Sequence, residues 1–234
     1  MASPIQTTIT DGVAVLQVDD GKANALGHEL IDAFEVALDQ AEADSDAVAI
    51  LGRPGRFSAG FDLAVMKESA EAAQRLVGRG AELFLRLCGF PRPVVAGCTG
   101  HALAAGALLL LACDERIGVD SDVKIGLPEV GIGMPLPRFG VELARDRLSP
   151  REFTRATMLA TIYSPAQAVH AGFLDETVGP DELQDRVLTR TAELASGLHR
   201  GGFVATRANA RGKFIEMVRE ELAADLATFT VSSN

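Results

Sequence analysis

The hydrophobic positions of this chain change rhythm several times. VAVLQVDD (residues 13–20) and AVAILG (47–52) are short β-rich runs. Between them Leu30, Phe34 and Leu38 recur every four positions, which is one face of a helix. PVVAGCTG (93–100) has the pattern of another buried strand. It leads straight into GHALAAGALLLLACDERI (100–117), which begins with small residues and continues with leucines from Leu108 to Leu111, the pattern of a buried helix. ERIGV and VKIGL are shorter strand patterns after it. Strands alternating with helices predict an α/β domain up to about residue 140.

The last third has a different pattern. SPRE (149–152) puts Ser at N-cap, Pro at N1 and Glu at N3, and SPAQ (164–167) repeats the device with Gln. Both read as capping boxes. Gly172 stands where a glycine ends a short helix. Polar stretches with apolar stripes, from 181 to about 197 and from about 205 to 228, predict two more helices. The pattern therefore divides the chain into an α/β part, 1–140, and a helical region, 141–234, packing on that core or on a neighbouring subunit.

Composition narrows the function. Of 234 residues, 47% are hydrophobic but only 5% aromatic, so Ala, Leu, Val and Gly do most of the packing. With 22 Lys and Arg against 32 Asp and Glu, the formal charge is −10. That disfavours nucleic acid and anionic membranes as partners. An anionic small molecule remains possible, because helix N-termini and local cations outweigh net charge. Cys88, Cys98 and Cys113 lie in apolar surroundings and read as buried free thiols in a reducing compartment. Cys98 and His101 have no second cluster at ligand spacing, so no metal site is expected. The first ten residues are too polar for a signal peptide and the longest apolar run is too short for a bilayer, so the expectation is a cytoplasmic protein.

Phosphate-loop, nucleophile-elbow and zinc-helix motifs do not occur. Two other stretches share a plan. RFSAGFDL (56–63) follows the strand pattern at 47–52, and GHALAAG (100–106) follows the one at 94–99. Each reads as a strand, a turn of small residues and a helix start, and each can present unpaired backbone N–H groups. Two such donors converging make an oxyanion hole. The alternative is that small residues simply let the turns pack tightly.

Together these stretches resemble the enoyl-CoA hydratase/isomerase, or crotonase, family. RFSAGFDL is similar to its F-x-A-G-x-D-[LI] pattern, and PRPVVAGCTGHALAAGALLLLACDERI to its long central signature. GKANAL (21–26), IGLPEVGIGMPLP (125–137) and AVHAGFLDETV follow in the family's order. The resemblance runs from about residue 10 to 180. It implies a crotonase fold (ClpP/crotonase-like) of repeated ββα units with a helical C-terminal trimerisation region, and a homotrimer or dimer of trimers. It implies an acyl-CoA substrate, with coenzyme A as part of that substrate and no separate cofactor. By position, the oxyanion donors are the N–H groups of Phe61 and Ala105. Where many relatives carry glycine, this chain has Ala104 and Ala105; alanine keeps the N–H and suits helical dihedrals. The small first turn of the helix would then let a thioester reach its N-terminus.

Family hydratases use two glutamates. One matches Glu129; the other position holds Leu108, which cannot move a proton. Adding water by this route needs a base and an acid, whereas shifting a double bond needs one carboxylate. The expected activity is therefore Δ3,Δ2-enoyl-CoA isomerisation in fatty-acid metabolism, with enoyl-CoA hydration as the alternative and a non-catalytic acyl-CoA binder as a different class. Lys22, Ala23, Ala25, Leu26, Ser58, Ala59, Asp62, Leu63, Leu108, Pro128 and Ile132 are the residues expected around the substrate and its CoA. Asp62 also reads as an Asx-turn residue, Asp114 as a helix-end group and His101 as a packing histidine or pocket residue. Arg56 and Lys67 can meet CoA phosphates or face solvent. His28, His170 and His199 belong to no constellation.

Overall fold

The computed structural model describes residues 3–229. Strands β1 (Ile5–Thr10) and β2 (Val13–Val18) form an antiparallel hairpin. Its turn is Asp11-Gly12, with φ of 50 and 77°, the dipeptide a two-residue hairpin favours. Helix α1 (His28–Asp44) then buries Leu30, Phe34 and Leu38, as their spacing predicts. Next come β3 (Ala47–Leu51), β4 (Gly55–Ser58), the single turn α2 (Leu63–Met66) and the long α3 (Ala70–Gly89). Strands β5 (Val94–Cys98) and β6 (Gly100–Leu103) lead into α4 (Ala105–Ala112), followed by β7 (Glu115–Val119) and β8 (Ile125–Gly126). A 3-10 turn spans Glu129–Ile132. The rest is α5 (Arg138–Arg147), α6 (Pro150–Thr157), β9 (Ile162–Tyr163), α7 (Pro165–Ala171), β10 (Glu176–Val178), α8 (Leu183–Gly197) and α9 (Arg200–Thr228).

The strands form two sheets. One has six strands in the order β1-β2-β3-β5-β7-β10; the other has four in the order β4-β6-β8-β9. Successive strands of the middle of the chain alternate between them: β3, β5 and β7 enter the first, β4, β6 and β8 the second. The large sheet is parallel from β2 to β10 and is buried on both faces. Val48, Ile50, Val94 and Ala96 face a core shared with α1, α3 and α4. Ala49, Leu51, Val95 and Ile117 face the other way, under Leu183 and Val187 of α8.

Three local expectations change. The strand patterns at 47–52 and 94–99 do not run directly into the two turns; β4 and β6, members of the second sheet, intervene. GHAL is therefore strand, and only Ala105 onward is helix. At α6, Ser149 makes no side-chain cap bond. Its partner in the expected box, Glu152, instead accepts from the Tyr163 hydroxyl at 3.1 Å. At α7 the reciprocal bond does form: Gln167 Oε1 accepts from the Ser164 N–H at 3.0 Å, and Gly172 ends the helix at φ 96°. The last third is not helical alone, since β9 and β10 complete one edge of each sheet.

Candidate functional site

The site is built where two strand ends of the small sheet meet. Strands β4 and β6 pair in parallel, with Ser58 opposite Ala102. The chain leaves β4 through Ala59, Gly60 and Phe61, and leaves β6 through Ala104 into α4. Gly60 adopts φ 94°, a left-handed-side conformation that glycine takes without a steric cost. A Cβ there would lie 2.9 Å from the Ala104 Cβ and 3.2 Å from the Ala105 nitrogen. The two turns therefore touch, and the lack of a side chain at Gly60 keeps space open beside the Ala105 N–H. Among the described residues, neither the Phe61 nor the Ala105 N–H meets an acceptor.

The segment before α1 braces the first turn. Leu26 donates to the Gly60 carbonyl at 2.7 Å, Asp62 N–H to the Leu26 carbonyl at 3.2 Å, and Ala59 N–H to the Ala23 carbonyl at 3.0 Å. Ser58 Oγ donates to the Asn24 carbonyl at 2.8 Å. Asn24 is fully buried at φ 50° and its amide donates to the Val18 and Phe57 carbonyls. Sequence reading passed over Asn24, although Asn is the residue besides Gly that best tolerates that conformation. Asp62 caps α2 by accepting from the Ala64 N–H at 2.8 Å, as its Asx-turn reading predicts.

The second turn corrects the expectation for Ala104. Its dihedrals are φ 52° and ψ −127°, not helical. Such a backbone costs a non-glycine residue on the order of 1–3 kcal/mol. It is held by the Ala104 N–H bond to the Gly126 carbonyl at 3.0 Å and by the Ala104 carbonyl accepting from Ala107 and Leu108. Part of the small-residue stretch has a packing cause. A Cβ on Gly106 would collide with the Ser58 carbonyl, so β4 itself lies against the helix there.

Glu129 begins the 3-10 turn after Pro128 and is only 7% exposed. Burial pushes its carboxyl up to about 7, and a bond to its own backbone only partly opposes this. Its Oε2 has no hydrogen-bond partner among the described residues. Glu129 lines a cavity of about 140 Å³ together with Ala59, Phe61, Ala104, Leu108, Pro128 and Ile132. Leu63, Met66, Val77, Leu103, Met134, Pro135, Pro137 and Phe229 complete the lining, so Glu129 is the only ionisable group among these residues.

Of the residues named from sequence, Glu129, Phe61, Leu108, Ala59, Leu63, Pro128 and Ile132 thus share one cavity. Ala105 adjoins it through its backbone, and Ala23, Leu26 and Ser58 brace the first turn. Ala25 is half-buried, and Lys22, Arg56 and Lys67 are exposed. His101 is a satisfied packing residue: Nδ1 accepts from the Lys124 N–H at 2.9 Å. Burial, then Arg56 and Lys124, depress its pKa. Asp114 accepts from the Val94 N–H at 2.9 Å and pairs with Arg207. The three cysteines are free and buried. Among the described residues no group of three metal-ligating side chains forms, and no helix is long and apolar enough to cross a membrane. Met66, Val77 and Phe229 were not legible as lining residues, because only long-range packing of α2, α3 and α9 brings them to the cavity.

Known proteins supply the context. The family model for enoyl-CoA hydratase/isomerase matches residues 8–230. Mitochondrial enoyl-CoA delta isomerase 1 of Mus musculus is 32% identical over 187 residues, which cover 78% of this chain and 65% of the mouse protein. An enoyl-CoA hydratase/isomerase family protein from Pseudomonas syringae has a crystal structure that superposes with a TM-score of 0.94 at 40% identity, covering 97% of this chain and 98% of that one. The apo enoyl-CoA isomerase of Mycobacterium tuberculosis gives 0.92 at 36% identity, covering 98% of this chain and 100% of the other. With the ββα alternation, the two touching turns and the buried glutamate in one molecule, this chain belongs to the enoyl-CoA hydratase/isomerase, or crotonase, family.

Proposed function

We propose that the protein is a Δ3,Δ2-enoyl-CoA isomerase in which Glu129 is the sole proton carrier. The observation that carries this reading is that, among the described residues, Glu129 is the one ionisable side chain lining an otherwise apolar cavity, with Leu108 in place of a second carboxylate. The thioester oxygen accepts from the Phe61 and Ala105 N–H groups. The Glu129 carboxylate removes a proton from C2, and the electron pair passes into the thioester to give a dienolate held by those two donors. The Glu129 carboxylic acid then returns the proton at C4, a double bond forms between C2 and C3, and the carboxylate is regenerated. A pKa of about 7 suits a group that is base in one half-reaction and acid in the other. The cavity wall supplied by Leu108, which is 1% exposed, gives an attacking water no second carboxylate to activate it.

The CoA portion is assigned to the rim carrying Lys22, Ala23, Ala25 and Leu26, beside the turn of Ser58, Ala59, Asp62 and Leu63. The same reading takes the working form as a homotrimer or a dimer of trimers. The test is incubation with a panel of 3-enoyl and 2-enoyl-CoA thioesters, following double-bond position and water addition by mass and NMR. Double-bond migration without hydration supports the reading. Hydration as fast as migration replaces it with a hydratase, and saturable binding without turnover replaces it with a binder.

A further inference from the structure

Part of the cavity wall comes from the C-terminal end of α9. Phe229, which follows that helix, lines the cavity and is 4% exposed. Its N–H bonds to the Leu226 carbonyl at 3.1 Å, and its carbonyl accepts from Gln74 Nε2 on α3 at 3.3 Å. One turn further along α3, Val77 lines the same cavity. Next to Val77, Gly78 lets α9 approach: a Cβ there would come within 2.9 Å of Leu226 Cδ1. Glycine inside a helix is locally unfavourable relative to alanine, so its presence here marks the close packing of α9 on α3.

The cavity is small. Its volume is about 140 Å³. Pockets for drug-sized ligands measure roughly 300–1,000 Å³. An apolar cavity of ~150 Å³ holds a benzene-sized molecule, that is, about six carbons. We propose that Phe229 is the chain-length stop of the site, so that the preferred substrates carry short acyl chains of about six carbons. This rests on the acyl-CoA reading above and adds the substrate class. Binding a longer chain requires displacing an aromatic ring whose own backbone is bonded to α9 and α3, whereas a short chain fits with the ring in place.

The experiment is a chain-length series of straight 3-enoyl-CoA thioesters from six to twelve carbons, on the wild type, Phe229→Ala and Phe229→Leu. The wild type should lose at least tenfold in kcat/KM between the shortest and the longest. Phe229→Ala should raise the ratio of kcat/KM on the longest substrate to that on the shortest by most of that tenfold. Phe229→Leu, which removes less volume, should fall between them and serves if the alanine variant does not fold. A wild-type profile that is flat or rises with length overturns the proposal, as does a profile unchanged in the folded variants. The same series of saturated acyl-CoAs is measured by calorimetry. If no thioester is turned over but affinity still falls with length and recovers in Phe229→Ala, the isomerase reading fails and the chain-length stop stands.

Discussion

Glu129 is buried with one carboxylate oxygen lacking a partner among the described residues, and that burial sets both its chemistry and its cost. Glu129→Gln keeps the shape and removes the proposed proton carrier, so kcat should fall by ~10²–10⁴. Wild-type kcat/KM should rise with pH through about 7 as the carboxylate ionises. Stability moves the other way. A carboxyl whose folded pKa lies above its unfolded value contributes most below the unfolded value, and that contribution is lost as pH rises through about 7. Glu129→Gln should therefore gain on the wild type between pH 5 and pH 8, by up to ~3 kcal/mol. Urea unfolding at both pH values measures this; a gap independent of pH would mean that the carboxyl titrates as a solvated group. Leu108→Glu should supply the missing second carboxylate and raise the ratio of hydrated to isomerised product, with one of the two pKa values driven upward. An unchanged product ratio in a folded variant would show that Leu108 is not what withholds water. Glu129 and Leu108 were legible because the order of motifs along the chain identified their positions. The burial of Glu129 was not, since a glutamate following proline in a loop reads equally as a surface group. The strained backbone of Ala104 was hidden too, because alanine signals nothing about φ where glycine would have.

Helix α3 shows how an element can hold a site it does not belong to chemically. It carries Gly78 and Gly80 in its interior. A Cβ on Gly80 would collide with the Phe61 ring. Gly80→Ala improves helix propensity by roughly 0.5–1 kcal/mol yet must push that ring and the Phe61 N–H with it. It should lower kcat for short substrates much more than it raises KM, and adding Phe61→Leu should restore part of the loss. No coupling between the two changes in a double-mutant cycle would place the donor elsewhere. Among the elements, α1, α8 and α9 followed from hydrophobic spacing, and α4 from its unbroken run of leucines. Strands β4 and β6 did not, because four-residue strands that open on glycine look like turns until a partner strand is found. At α6 the sequence carried a complete capping signature, but the tertiary bond from Tyr163 to Glu152 won over the local one.

Across the whole molecule, the loop holding Glu129 carries exposed Val130 and Ile132, and the segment after α6 exposes Met158, Leu159 and Ile162. The two are neighbours, since a Cβ on Gly131 would contact Ala160 at 3.5 Å. Apolar patches of this kind mark surfaces covered in an assembly. The proposed trimer should bury it, so the double change Met158→Glu and Leu159→Glu should shift sedimentation to smaller species. An unchanged species would put the subunit contact on another face. The repeated ββα plan was readable from the alternation of patterns, but the division of its strands into two sheets was not, because sheet membership depends on partners far along the chain. That division has a consequence for how the active site can vary. The two proposed oxyanion donors lie in the turns that follow β4 and β6, adjacent strands joined by a backbone ladder. Neighbouring strands keep a spacing of about 4.8 Å whatever side chains they carry. The origin of both turns is thus fixed by the peptide backbone, while the proton-handling positions are side chains that take no part in that ladder: Glu129 in the 3-10 turn after β8, and Leu108 on α4, whose first residue supplies a donor through its backbone alone. The acid and base can be exchanged, removed or duplicated without retuning the oxyanion geometry, which makes this frame able to acquire new reactions on thioesters one side chain at a time.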